Sequence, residues 1–363
     1  MKITKFNIYR YAIPLISPIQ IKHLKLKKRI GFIIEIEDET ENTAYGEVAP
    51  LPGLHKEDML SSLQQLKKLR SEFLNKELPS NLGRLEGEFE DLLSDYNLYP
   101  SVRFGIEMAL SNLKINNSKQ SIIPFYDSSI DNSIRLNGLV TGSREEIIKK
   151  VLEYLSNGYS AIKVKVGHKN IEEDVGIINA VVPLCKNRAN IRLDANRAWS
   201  LEDAVDFGTR VEPKAIEYIE EPVKNSMDLS EFYYETKIPV ALDETLVEKP
   251  CDFLEEFDWL KAIIIKPSVI GGFEKAKKWT VNALKHDIDP IFSNAFLSGV
   301  GLASIAKLVT TLKLNHLAMG LETFKLFKID LPVEPFTVNN GQISVNDIYK
   351  RSLSIRKDLL EKV

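Results

Sequence analysis

Residues 161–166 read AIKVKV, and this short stretch sets the interpretation of the whole chain. Side chains two residues apart in an extended strand lie on the same face. Lys163 and Lys165 therefore share one face, and the apolar residues around them share the other. The alternation predicts a strand whose apolar face packs against helices and whose lysines face a sheet interior. An exposed edge strand with solvated lysines is the alternative, because a K-x-K pattern alone is weakly specific.

Short apolar strands alternate with helices on both sides of this strand. Eight strands are predicted, at residues 133–140, 161–166, 190–195, 215–220, 239–243, 260–266, 288–293 and 315–320. Amphipathic helical patterns lie between most of them. The polar residues that end six successive strands are 23 to 29 residues apart, near the ~30 residues of one βα unit. Eight such units favour an α/β fold of the TIM-barrel type, with a doubly wound sheet as the alternative.

The first third of the chain has a different pattern. Strands are predicted at 2–11 and 31–36, a loop at 15–28, and helices at 57–74, 82–94 and 101–113. Strands followed by helices indicate a small α+β module, which we expect to end near residues 121–124. The basic residues of the 25–29 segment predict a solvated strand or turn.

Composition and charge argue against several classes of protein. With 44% hydrophobic and 27% charged residues, the 363-residue chain is typical of a globular protein and not of a disordered or fibrous one. Its net charge of −3 argues against a nucleic-acid partner. Cys185 and Cys251 cannot build a disulfide framework. The sequence has no apolar run of membrane-spanning length and no secretory pattern, so a cytoplasmic protein without a membrane partner is expected.

Carboxylates end the three strands that follow the lysine strand. Asp194 ends IRLDAN, Glu220 or Glu221 ends YIEEP, and Asp243 ends VALDET. A helix N-cap is a reasonable interpretation of any one of them. Three in consecutive units instead predict carboxylates that converge at one barrel rim, where they would repel one another without a cation. Hard oxygen ligands with no His or Cys nearby favour Mg²⁺, with Mn²⁺ as a second choice.

Lys266 ends the next strand, AIIIKP, across the predicted barrel from Lys165. Two lysines on either side of a divalent metal suit removal of a proton next to a carboxylate. A metal that stabilises the resulting negative charge makes such a weak carbon acid accessible to an amine.

These residues in chain order resemble the pattern of the enolase superfamily, in its muconate-lactonising-enzyme-like subgroup: Lys163, Lys165, Asp194, Glu220, Asp243 and Lys266. The resemblance implies a modified (β/α)₇β barrel under an N-terminal α+β capping domain that the C-terminal segment completes. We therefore expect the capping domain to comprise residues 1–125 plus 322–363 and the barrel residues 126–321. The family register selects Glu220 over Glu221 as the metal ligand.

Two further stretches resemble the o-succinylbenzoate synthases: GEVAPLPGLH at 46–55 and SNAFLSGVGLASIAKL at 293–308. That resemblance implies dehydration of 2-succinyl-6-hydroxy-2,4-cyclohexadiene-1-carboxylate to o-succinylbenzoate in menaquinone biosynthesis. Lys165 would remove the α-proton and protonate the departing hydroxyl. Lys266 would stabilise the enediolate, and Lys163 would assist Lys165 or orient a carboxylate oxygen.

The resemblance also implies contacts with the small-molecule carboxylate substrate. The expected residues are Asn196, Ser293, Asn294, Ser298 and Gly299, the last two because a helix N-terminus favours anions. A plain helix start is the alternative at 298–301. Capping loops near 16–21 and 50–55 are expected to close over the barrel mouth, with His55 as a surface residue.

Other reactions share the same lysines and carboxylates. N-succinylamino acid racemisation, dipeptide epimerisation and muconate cycloisomerisation remain alternatives, as does a barrel that binds ligand without turnover. Dipeptide epimerases typically carry Asp-x-Asp at the eighth strand, and here that region reads MGLETFKLF, with Glu322 at its centre.

Overall fold

The structure is a computed structural model that describes residues 1–21, 24–79, 81–117, 133–167 and 170–363, without the side chains of 115–117. The predicted boundary between residues 125 and 126, and the predicted end of the first module near 121–124, lie outside these residues. Both remain predictions.

An antiparallel sheet opens the chain. Its strands are β1 (Ile3–Ile21), β2 (Leu24–Asp38) and β3 (Thr43–Val48), and it is followed by helices α1 (Met59–Phe73), α2 (Glu88–Leu93) and α3 (Pro100–Asn117). The predicted loop at 15–28 is wrong, because β1 and β2 resume their pairing at Ile19 and Leu26 after an irregularity that follows Pro14. The second helix is shorter than predicted, since Gly83 and Gly87 take positive φ angles that interrupt it.

Eight parallel strands form the barrel. They are β4 (Ser133–Val140), β5 (Ala161–Lys165), β6 (Asn190–Asp194), β7 (Ile216–Glu220), β8 (Val240–Leu242), β9 (Leu260–Ile265), β10 (Asp289–Phe292) and β11 (Ala318–Met319). From β4 to β10 each strand pairs with the next, and β11 pairs with β4. Between the last two strands, a bridge joins Ser293 and Gly320, whose amide donates to the Phe292 carbonyl at 2.8 Å. The TIM-type barrel is therefore confirmed over the doubly wound sheet.

Helices alternate with the strands. They are α4 (Arg144–Ser156), α5 (Ile171–Cys185), α6 (Leu201–Thr209), α7 (Leu229–Thr236), α8 (Glu244–Glu248), α9 (Pro267–Ile270), α10 (Phe273–Lys285) and α11 (Gly299–Thr311). Several begin at a residue whose side chain accepts a backbone N–H of the first turn, as Ser143 does for α4 and Ser200 for α6. Their apolar faces bury residues such as Ile147 and Phe207 against the strands.

The C-terminal segment returns to the first sheet. After β12 (Gln342–Ser344), which pairs with β4, helix α12 (Val345–Ser352) leads to β13 (Leu360–Lys362). The last strand pairs antiparallel with β1 and makes the sheet order β13-β1-β2-β3. The expectation that the C-terminal segment completes the N-terminal α+β domain is confirmed. Among the described residues, no helix combines the length and apolar character needed to span a membrane.

Candidate active site

The two lysines of β5 lie beside the carboxylates of the neighbouring strands. Backbone register places Lys165 opposite Asp194, and Asp194 opposite Glu220, so the three strands end at one level. Asp243 follows β8 and Lys266 follows β9 at the same end. Parallel strands whose ends coincide must bring their last side chains together, which is why active sites of such barrels lie at this end.

Ion pairs link four of these side chains, and a separate ion pair joins the other two; we call all six the lysine–carboxylate cluster: Lys163, Lys165, Asp194, Glu220, Asp243 and Lys266. The Lys163 Nζ lies 2.7 Å from Asp194 Oδ2 and 2.5 Å from Glu220 Oε2. The Lys165 Nζ lies 2.6 Å from the same Asp194 oxygen, and Lys266 donates to Asp243. The lysine side chains are a sixth to a quarter exposed, whereas the carboxylates are buried.

Burial and neighbouring charges act in opposite directions on these groups. Burial lowers the pKa of Lys163, but the Asp194 and Glu220 carboxylates outweigh it and hold the pKa well above its ordinary value. Burial raises the pKa of Asp194, yet the two lysine ammonium groups hold it below its usual range. The pKa of Glu220 is raised well above normal by burial and by the Asp194 carboxylate.

The three carboxylates of the cluster are the candidate ligands of a divalent metal. As the side chains stand, no three His, Cys, Asp or Glu residues in the described part of the chain are arranged to hold an ion, because ammonium groups lie between the carboxylates. The donor set itself is three buried carboxylates on adjacent strands. Carboxylate oxygens are the hard donors that Mg²⁺ prefers, so the residues fit the predicted metal chemically.

Asn196 lies next to the cluster. Its Oδ1 accepts a hydrogen bond from Lys165 Nζ at 2.6 Å, and its Nδ2 donates to Glu244 at 3.2 Å. Its backbone N–H donates to the Asp194 carboxylate at 3.2 Å. The structure thus brings this predicted substrate contact to the proposed base.

Glu220 and Glu221 point to different surroundings. The Glu221 carboxylate accepts hydrogen bonds from the backbone N–H groups of Asp243 at 2.9 Å and Thr245 at 2.7 Å. It also accepts from the Thr245 hydroxyl at 2.9 Å and pairs with Arg197 at 3.0 Å. Glu221 is fully buried and holds the start of α8, whereas Glu220 faces the lysines.

We expect Glu221→Ala to lower the free energy of unfolding by about 3 kcal/mol, because it leaves the buried backbone N–H groups of Asp243 and Thr245 without their acceptor. Urea titration followed by circular dichroism measures this. Glu248→Ala is the matched control, since Glu248 also pairs with Arg197 but its side chain is 54% exposed. That change should cost less than about 1 kcal/mol. Equal effects of the two substitutions would contradict the assignment.

Ser293 and Asn294 lie where the barrel closes. The Ser293 hydroxyl donates to the Gly320 carbonyl at 3.3 Å, and Asn294 Nδ2 donates to the same oxygen at 3.5 Å. Asn294 Oδ1 accepts from the Thr323 hydroxyl at 2.9 Å. These residues join the ends of the seventh and eighth strands, at the same end of the barrel as the cluster.

Ser298 and Gly299 are directed to other partners. The Ser298 N–H and hydroxyl donate to Glu47 on β3 at 2.9 and 2.7 Å, and the Gly301 N–H donates to it at 2.9 Å. The Gly299 N–H donates to Asp330 at 3.0 Å. The start of α11 thus binds carboxylates of the chain itself, and the structure does not bring these two residues to the lysine–carboxylate cluster. Their predicted substrate contact stays a prediction.

On the capping side of the barrel mouth, the environments of two side chains differ from those predicted from the sequence. Arg29 was expected on a solvated segment but is 3% exposed. His55 was expected at the surface but makes two hydrogen bonds at the domain junction. A separate apolar group of Leu51, Val269 and Ala295 lies there as well. No local signal distinguishes Arg29 from the three lysines that precede it, since its partners lie on other loops.

A concavity of about 1130 Å³ lies at the opposite end of the barrel, lined by residues such as Arg135, Lys186, Asn190, Lys214 and His316. It adjoins the amino-terminal ends of the strands. The ion-paired lysines and carboxylates described above are absent from its lining. The cluster at the carboxyl-terminal ends therefore remains the candidate active site.

The sequence matches two family models. One is described as Enolase C-terminal domain-like and covers residues 146–350; the other is described as MenC, N-terminal domain, and covers residues 3–113. The o-succinylbenzoate synthase of Aliivibrio salmonicida is 30% identical over 328 residues, which are 90% of this chain and 92% of that protein. Protein PHYLLO, chloroplastic, of Arabidopsis thaliana is 31% identical over 81% of this chain, which spans only 18% of that longer protein.

Solved structures show the same fold. A dipeptide epimerase from Cytophaga hutchinsonii, complexed with Mg and the dipeptide D-Ala-L-Val, superposes with a TM-score of 0.81, covering 100% of this chain and 99% of that one at 22% identity. The muconate lactonizing enzyme of Pseudomonas fluorescens, complexed with muconolactone, gives 0.80 over 94% of both chains at 16% identity. At these identities the likeness concerns the fold alone.

Proposed function

Since the chain belongs to the enolase superfamily, among the relatives of o-succinylbenzoate synthase, we propose that it dehydrates 2-succinyl-6-hydroxy-2,4-cyclohexadiene-1-carboxylate to o-succinylbenzoate. The observation that carries the proposal is the lysine–carboxylate cluster, with Lys165 and Lys266 on separate strands and three carboxylates between them. The proposed setting is menaquinone biosynthesis in the cytoplasm.

In this proposal Asp194, Glu220 and Asp243 hold Mg²⁺, or Mn²⁺ in its place. The bound ion would stabilise negative charge that develops on the substrate carboxylate. The lysines now paired with these carboxylates would then turn toward the substrate. Because Asp194 and Asp243 each already neutralise a lysine, replacing one cation by another costs less than exposing an unpaired buried carboxylate.

Lys165, as the neutral amine, takes the proton from the ring carbon that bears the carboxylate. The electron pair of that C–H bond enters the ring, the C–O bond to the ring hydroxyl breaks, and the hydroxyl leaves as water with the proton that Lys165 returns. The ring thereby becomes aromatic. The hydrogen bond from Lys165 Nζ to Asn196 Oδ1 fixes the direction of the amine.

The other two lysines keep their charge. Burial lowers the pKa of Lys266, but the Asp243 carboxylate outweighs burial and raises it. In the proposal Lys266 acts as an ammonium that stabilises the enediolate from across the barrel. Lys163, which pairs with Asp194 and Glu220 in the structure, would then orient a carboxylate oxygen of the substrate.

The eighth strand argues against a dipeptide substrate. Glu322 accepts a hydrogen bond from Tyr159 and pairs with Lys325 at 2.5 Å. The region also lacks the Asp-x-Asp that is typical of dipeptide epimerases, since it reads MGLETFKLF. Racemisation of N-succinylated amino acids has no such requirement and is tested below as the alternative.

We expect the purified protein to convert the cyclohexadiene substrate to the aromatic product with Mg²⁺ and to lose this activity in excess EDTA, because stabilisation of the carboxylate charge depends on the metal. Ultraviolet absorbance follows both reactions. Restored turnover on adding Mg²⁺ back excludes irreversible damage by the chelator.

Absence of conversion by a folded, metal-bound protein would refute the proposal. The next measurement would then be exchange of the α-hydrogen of N-succinylamino acids and dipeptides in D₂O, followed by NMR. Exchange without dehydration would assign the chain to racemisation with the same lysines.

A further inference from the structure

The junction between the two domains at the barrel mouth is held by polar groups on the capping side. The loop at 49–55 follows β3 and contacts two segments of the barrel domain. One is α9 (Pro267–Ile270), which directly follows Lys266; the other follows β10 and contains Ala295 and Phe296. A contact that holds the 49–55 loop in place therefore also fixes the side of the barrel mouth next to Lys266.

Arg29 supplies one of the contacts. Its guanidinium donates to the carbonyls of Pro50 at 2.9 Å, Phe296 at 2.9 Å and Ala295 at 3.3 Å, and also to that of Ala49. These acceptors are neutral backbone groups on two different domains. A planar guanidinium with several donors in fixed directions can hold such loops rigidly.

His55 supplies the second contact. Its Nδ1 lies 2.9 Å from the Leu51 backbone nitrogen, and its Nε2 lies 3.1 Å from the Ser268 carbonyl oxygen. A backbone N–H can only donate and a carbonyl can only accept. The ring is therefore assigned as the neutral tautomer with the proton on Nε2. The bond to Leu51 lies within the capping loop, whereas the bond to Ser268 crosses to the barrel.

Apolar side chains gather at the same place. Leu51, Val269 and Ala295 are buried together, and Leu54 and Phe296 pack against them while remaining partly exposed. Leu51 and Leu54 belong to the capping loop, and the other three to the barrel. We call these five side chains the apolar wall. The His55–Ser268 hydrogen bond thus connects its capping-loop part with its barrel part.

We propose that His55 is a positioning residue: its hydrogen bond to the Ser268 carbonyl holds the capping loop against the segment after Lys266 and so shapes the apolar wall that receives the substrate ring. This role rests on the proposed function. His55 does not reach the reacting atoms, so it acts on substrate binding rather than on proton transfer.

Two conservative substitutions separate the two hydrogen bonds. In His55→Gln the terminal amide takes the place of Nε2 and can donate to Ser268, while the bond from Leu51 is lost. In His55→Asn the side-chain oxygen takes the place of Nδ1 and can accept from Leu51, while the bond to Ser268 is lost. His55→Leu removes both. His316→Leu is the control, because His316 is exposed at the opposite end of the barrel.

The KM and kcat of each variant test the role. Loss of the interdomain bond in the Asn and Leu variants should raise KM about three- to tenfold, the range expected for one hydrogen bond, with kcat changed less than about twofold. The Gln variant and the His316 control should keep KM within about twofold of the unaltered protein. Wild-type KM in the Asn variant, or a kcat loss as large as the KM rise, would overturn the proposal.

Hydrogen exchange of the 49–57 segment gives a readout that needs no activity. The Asn and Leu variants should lose protection across the segment, while the Gln variant should lose it at the Leu51 amide alone. Equal protection in the Asn variant and the unaltered protein would overturn the proposed positioning role of His55. If the unaltered protein fails to turn over the substrate, the proposed function is refuted, while the exchange data still decide whether His55 holds the loop. Thermal melting of each variant confirms that it is folded.

Discussion

Lys165→Ala is expected to lower kcat at least about a thousandfold, because general acid–base groups contribute about 10²–10⁴-fold and this residue acts twice. The fold should persist. Asp194 keeps its 2.7 Å ion pair with Lys163 when Lys165 is removed, so no buried carboxylate is left unpaired. The loss therefore reflects missing proton transfer and not unfolding.

The measurement combines the absorbance assay with thermal melting by circular dichroism. Lys186→Ala is the control, since Lys186 is an exposed lysine at the opposite end of the barrel. Lys165→Arg adds a second check, because arginine retains the charge but cannot act as a base near neutral pH. Turnover near that of the unaltered protein in either Lys165 variant would refute the assignment of Lys165 as the base.

Asp243→Asn is expected to weaken Mg²⁺ binding at least about tenfold, since a neutral amide replaces one of the three proposed carboxylate ligands. The substitution preserves side-chain shape. It also leaves Lys266 without its carboxylate partner, so the local positive charge further opposes a cation.

Isothermal titration with MgCl₂ measures the affinity directly and does not depend on the substrate. Asp258→Asn serves as the matched control, because Asp258 is exposed at the other end of the barrel, where it accepts a hydrogen bond from Tyr234 at 3.0 Å. An unchanged Mg²⁺ affinity in Asp243→Asn would exclude this residue as a ligand.

The barrel was largely predictable because its signals are local. Each strand is an apolar run of a few residues, and each unit repeats the same polar ending after a similar interval, so eight strands are placed from neighbouring residues alone. Where long-range pairing decides the outcome, the prediction fails. The stretch 15–28 follows Pro14 and contains several basic residues, a pattern typical of a loop. Pairing of the end of β1 with the start of β2, such as Ile19 with Leu26, instead makes this stretch part of the sheet.

The cluster residues were also predicted, although their roles remain proposals. Alternation within AIKVKV places two lysines on one face, and the βα period brings the ends of neighbouring strands to one level. The choice between Glu220 and Glu221 could not come from such arguments. Register within the folded barrel directs Glu220 to Lys163 and leaves Glu221 to Arg197 and Thr245.

The sequence by itself determined the alternation of strands and helices, the strand order along the chain and the residues at the strand ends, because periodicity and strand alternation act over a few residues. Closure of the sheet into a barrel was decided by the pairing of β11 with β4. Only the tertiary structure decided the environments of Arg29, His55 and Ser298. Each makes a hydrogen bond between the two domains to a residue 213 to 267 positions away along the chain. Arg29 bonds to Phe296, His55 to Ser268 and Ser298 to Glu47. A side chain's charge and polarity are local properties, but its burial and hydrogen-bond partners are set by whichever distant segment packs against it.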